Sequence, residues 1–203
     1  MARKIEYDTA QLRELLLQAL ETERGGIQVY ERAVQAAVNP DLKKEFEEYL
    51  EQTRKHEQVL LGVFEVFGLD PEAQSPGRAV VAHQGQSLVQ AIEMAMAEAP
   101  PEAAELVAAE CVVLAETKDH QNWELLGEAA GRLTGDKAKA LREAHDEVEK
   151  EEDHHLYHTK GWARELWMQS LGFPAVLPPP EEVKNVETAI GAARAEQARS
   201  KML

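Results

Sequence analysis

Glu23, Glu116, Glu152, His56 and His155 carry the chemistry this chain can perform. Carboxylates and imidazoles brought to one place hold a metal ion, and that donor set suits iron or manganese. Helical phase is what turns them toward one place. At 100° per residue, Glu23 lies about 20° from Leu12 and Tyr30, in the middle of an apolar stripe. A carboxylate buried there needs a cation or a proton, because an unpaired buried charge is strongly unfavourable. Glu116 and His120, an i, i+4 pair, both fall within about 30° of a stripe through Leu106, Ala109, Val113 and Gly127. Such a pair either converges on one ion or forms a solvated surface pair.

Two Glu-x-x-His pairs overlap between Glu149 and His155: Glu151/His154 and Glu152/His155. Relative to Val148, Glu152 lies at about +40° and His155 at about −20°, whereas Glu151 and His154 lie at about −60° and −120°. Glu152/His155 is therefore the pair expected to face the core. The segment Leu50 to Glu57 is less complete, with Thr53 where a glutamate would precede His56 by three residues. Its candidate ligands are His56 and Glu57, on either side of Thr53. The two halves of the chain repeat one another. Glu23 and Tyr30 are seven residues apart, as are Glu116 and Trp123. Each half offers a glutamate first and a histidine 33 or 39 residues later.

These residues must be positioned by helices. Apolar periodicity predicts long helices over about 9–38, 41–67, 101–133 and 136–171, with a short helix over 85–98. Asn39-Pro40-Asp41 and Leu133-Thr134-Gly135-Asp136 are the tight connections; residues 68–78, with two prolines and two glycines, are expected to be a loop. Two hairpins joined by a long crossover describe an all-α four-helix bundle. The expected division is a bundle over 1–171 and, over 172–203, a Pro-rich linker with a final helix near 181–201. That helix carries only a thin stripe (Val183, Val186, Ile190, Ala193), and is expected to dock on the bundle or on a neighbouring subunit, with a flexible tail as the alternative.

Composition agrees. Ala, Glu and Leu dominate and aromatic residues are only 5% of the 203, which excludes an all-β fold. The single cysteine, Cys111, excludes a disulfide framework and a cysteine-based zinc site. A net charge of −15 argues against nucleic acid as a partner, since phosphates repel it. No apolar run is long enough to span a membrane. The first residues, MARKIEYDTA, lack the apolar core of a secretory signal, so the expected location is cytoplasmic.

The chain resembles the ferritin-like superfamily of ferritins, bacterioferritins and rubrerythrins. Glu23 with Tyr30, Glu116 with Trp123, and Glu152-x-x-His155 carry the resemblance. The stretch Phe46 to Leu60 and its continuation Phe64-Glu-Val-Phe-Gly68 are most similar to the YciF-type stress-associated members. The resemblance implies a dinuclear iron or manganese site, at most two ions per chain, in a homodimer or larger homo-oligomer. Glu23, Glu116 and Glu152 would then supply bridging oxygens, and His56 and His155 nitrogen ligands. Open coordination positions would admit O₂ or peroxide, with ferroxidase, peroxidase or catalase-like turnover as the enzymatic possibilities. Thr53 stands where the superfamily usually carries a bridging glutamate. A stress protein that kept the fold with an incomplete site, and iron storage in a larger shell, are the alternatives.

Overall fold

The computed structural model describes residues 7–180. The expected final helix therefore lies outside the described residues. Among the described residues, five helices follow one another: α1 (Thr9–Ala36), α2 (Pro40–Phe67), α3 (Pro76–Glu98), α4 (Pro101–Arg132) and α5 (Asp136–Ser170). Local chemistry sets their ends. Asp8 caps α1, its Oδ1 accepting from the backbone N–H groups of Ala10 and Gln11. Asn39 does the same for α2, accepting from Asp41 and Leu42. Gly68 and Gly135 take positive φ at the end of α2 and ahead of α5, where a side chain would be strained.

The three-residue links after α1 and α4 make two antiparallel hairpins, as the spacing predicts. In cross-section the long helices form a square. α1 packs on α2 and α4, and α5 packs on α2 and α4, while the diagonal pairs keep their backbones apart and meet only through side chains in the centre. α3 lies across the α1 and α4 face. Glu105 locks the first hairpin to α4: its buried carboxylate accepts from the backbone N–H groups of Val38 and Asn39, at 2.7 and 2.5 Å.

The crossover helix is the main correction to the expected elements. It starts at Pro76 rather than near 85, and it is a 23-residue helix, not a short one. The Pro-Gly pair that suggests a loop occupies a first turn, where no intrahelical N–H bond is lost. Ser75 caps it, accepting from the Arg78 backbone N–H at 3.0 Å. The buried Arg78 guanidinium then ties the turn down, donating to Glu21 on α1 and to the carbonyls of Pro71 and Ala73.

Two apolar clusters fill the bundle. One is built on Tyr30, Phe46, Tyr49, Val112 and Trp162. The other is built on Leu16, Leu20, Leu60, Phe64, Trp123 and Val148. On every long helix a break of polar residues separates the two. Residues 172–180 do not extend away from the bundle. They fold back along α5, where Val176 N–H donates to Glu165 and the Pro179 carbonyl accepts from His158 Nε2 at 3.2 Å. Leu177 packs on the first cluster. Among the described residues, no helix is long and apolar enough to cross a membrane.

Candidate metal centre

The polar break between the clusters contains Glu23 from α1, His56 from α2, Glu116 and Asp119 from α4, and Glu152 and His155 from α5. All six are buried, none more than 4% exposed. Ligand atoms of His56, Glu152 and His155 lie within 4.8 Å of one another, and so do those of Glu23, Asp119 and Glu152. Glu152 belongs to both groups. Glu116 stands beside them, its Oε2 3.7 Å from His155 Nδ1.

Burial alone would make this layer costly, because its polar atoms are largely unsatisfied. Glu23 Oε2, His56 Nδ1, Glu116 Oε2, Asp119 Oδ1, both oxygens of Glu152 and His155 Nδ1 are buried without hydrogen-bond partners. Native interiors rarely leave such groups orphaned, and seven in one place call for a missing partner. His56 Nδ1 and Glu152 Oε1 are 2.8 Å apart yet out of hydrogen-bond geometry. That is how two donors to a common third atom sit.

The outer edges of both imidazoles are fixed. His56 Nε2 lies 2.8 Å from Glu151 Oε2, and His155 Nε2 lies 2.7 Å from Gln52 Oε1. Each partner accepts, so each Nε2 carries the hydrogen and each Nδ1 presents a lone pair inward. This outer bonding orients a metal-binding histidine and raises its basicity. Trp123 Nε1 donates to Glu23 Oε1 at 2.8 Å, so that ring holds a carboxylate as well as packing. Tyr30 is buried beside Glu116. Burial first, and the Glu116 charge next, hold its phenol well above the usual range.

The carboxylates press on one another. Burial is the largest cause raising Glu23, Asp119 and Glu152 well above the usual carboxylate range. Neighbouring carboxylates add to it: Asp119 acts on Glu23, Glu152 on Asp119, and Glu116 on Glu152. Without a cation these surroundings favour the protonated forms. The four carboxylates would carry −4 when ionised, which two divalent ions neutralise. Oxygen and imidazole donors of this kind fit iron or manganese.

The structure brings together five of the residues singled out by the sequence: Glu23, His56, Glu116, Glu152 and His155. It does not bring in Glu57 or His120. Glu57 follows His56 by one residue, about 100° around the helix. It faces Arg24, whose Nε lies 2.9 Å from its carboxylate. His120 sits on the flank toward α5, 2.6 Å from Asp153 Oδ1. Asp119 takes the place His120 was expected to hold, because residues three apart point the same way here, as in Glu152-x-x-His155. The i, i+3 spacing from Glu116 was the available signal. Gln52 and Glu151 had none, since their role depends on reaching across to another helix. Thr53 is no ligand; its hydroxyl donates to the Tyr49 carbonyl at 2.9 Å.

Glu151 is partly exposed, so Glu151→Ala is expected to leave the fold intact. With His56 no longer oriented, metal affinity should fall roughly 10–100-fold. Competition against a chromogenic chelator measures it, and an unchanged affinity would remove Glu151 from the site.

Residues 9–159 match a family described as "Domain of unknown function (DUF892)". No curated protein and no solved structure matches the chain.

Proposed function

The chain belongs to the family DUF892, a domain of unknown function, and from the geometry of its polar layer we propose that it is a ferritin-like dinuclear metalloprotein. Its metals are iron or manganese and its substrate is O₂ or peroxide. The observation that carries this is the set of seven buried, partnerless ligand atoms converging from four helices. The resemblance drawn from Glu23, Glu116 and Glu152-x-x-His155 supports the same reading. It departs from the superfamily pattern at Thr53, where α2 lacks its carboxylate. Asp119, one turn beyond Glu116, supplies a fourth carboxylate in its stead.

His56, Glu152 and His155 would hold one ion. Glu23, Asp119 and Glu152 would hold the other, with Glu116 alongside and Glu152 common to both. When bound, such ions supply a redox-active Lewis-acid pair that binds O₂ or peroxide. The protein's part is to fix ligand directions through Glu151, Gln52 and Trp123. Its apolar clusters above and below keep bulk water from the layer. In this reading the protein works as a homo-oligomer in the cytoplasm.

Elemental analysis of protein purified without added metal tests the proposal. About two iron or manganese ions per chain, together with saturable consumption of peroxide or oxidation of Fe²⁺, is the expected result. Protein that takes up no metal even when reconstituted would overturn it and leave a structural role. Bound metal without turnover would favour storage.

A further inference from the structure

A cavity of about 480 Å³ lies between α1, α3 and α4, on the side of α1 away from α2. Small-molecule pockets run from about 300 to 1,000 Å³. Its walls are mainly apolar: Gly25, Gly26, Val29, Val81, Leu88 and Leu114. The backbones of α1 and α3 approach closely at one edge, where a Cβ on Gly85 would stand 3.3 Å from Gly25 Cα. Leu114 lines the cavity and is 60% exposed, an unusual price in apolar surface for a bundle helix.

The polar lining is Lys118 and Thr22, with Glu21, His83, Gln84 and Ser87. The Lys118 ammonium donates to Asn122 Oδ1, and Asn122 Nδ2 donates to Thr22 Oγ1 at 2.9 Å. Thr22 Oγ1 in turn donates to the Gln18 carbonyl at 2.8 Å. Asn122 and Thr22 are therefore committed, while Lys118 has used one hydrogen of three on a neutral amide. Among the described residues, no carboxylate lies within ion-pair distance of Lys118. The nearby Glu21 is taken by Arg78, 2.7 Å away. In a chain of net charge −15, a half-buried ammonium bonded to a neutral amide rather than to a carboxylate is conspicuous.

We propose that this cavity binds a small monocarboxylate with an apolar body, its carboxylate on Lys118 and its chain or ring between α1, α3 and α4. The site is separate from the metal layer. Thr22 and Asn122 stand between the two, next to Glu23 and one turn from Asp119.

Octanoate and 1-octanol, titrated calorimetrically into the full chain, are the probes. Octanoate is expected to bind saturably, one per chain, and octanol roughly tenfold or more weaker, the worth of a charge-assisted hydrogen bond. Lys118→Met should weaken octanoate by about the same factor and leave octanol unchanged, while Lys118→Arg stays close to the parent. Ser87→Trp, at the exposed rim, should block both. The metal layer is controlled for by Glu152→Ala, which should bind octanoate like the parent. Absence of saturable binding would overturn the proposal. So would equal affinity for acid and alcohol, indifference to Lys118→Met, or loss of octanoate in Glu152→Ala.

Discussion

Replacing Glu152 by alanine is expected to remove bound metal altogether. Its carboxylate is the one group common to both sets of converging ligands, so neither half of the site survives its loss. Glu23→Ala is the instructive contrast, because it leaves His56, Glu152 and His155 in place. That variant should lose one ion and keep the other. Stability should move in opposite directions with and without metal. In the metal-loaded protein, Glu152→Ala loses the binding energy that metal lends to folding. In the metal-free protein it removes a buried carboxylate crowded by Glu116, and so should raise the melting temperature. Metal analysis with thermal melts of both forms measures this. Full metal content in Glu152→Ala would sink the assignment.

The second large effect is on pH dependence. Glu23, Asp119 and Glu152 have folded pKa values raised above those of the unfolded chain, by burial first. The folded, metal-free protein therefore holds more protons than the unfolded chain. Stability is fully present below the unfolded carboxylate pKa, near 4, and is lost as pH rises toward the folded values. Each extra proton held by the folded state changes stability by about 1.4 kcal/mol per pH unit. Bound metal displaces those protons, so the loss should vanish in the loaded protein. Denaturant unfolding between about pH 5 and 8, with and without Mn²⁺, isolates the effect. A metal-free protein whose stability holds level or climbs through that range, matching the loaded one, would contradict it.

The bundle was legible in the sequence because its signals are local. Caps at Asp8 and Asn39, the stop at Gly68 and the turn at Gly135 each act within a few residues. Helical phase was also enough to turn Glu23, His56, Glu116, Glu152 and His155 inward. It failed where two phases were both tolerable. Glu116 has companions at i+3 and i+4, and only packing against α1 and α5 decides that Asp119 enters and His120 stays on the flank. Glu57 failed for a different reason: Arg24, distant in sequence, offers it a better partner than the core does. The beginning of α3 was hidden because Pro76 and Gly77 mark a loop in one setting and a first helical turn in another. Arg78, bonded to α1 and to the loop before α3, makes the difference here.

The polar layer has one more consequence, for alignment. Bundles filled only by Leu, Val and Ala can slide a helix along its axis by a turn at modest cost, since one apolar side chain replaces another. A one-turn slip here is about 5.4 Å. It would carry Glu152 and His155 out of reach of His56 and into the space of an apolar cluster, and drive apolar side chains among the carboxylates. The same holds for each of the other three long helices. The layer works as a notch cut at matching height in four rods: whatever it does chemically, it leaves the bundle one way to close.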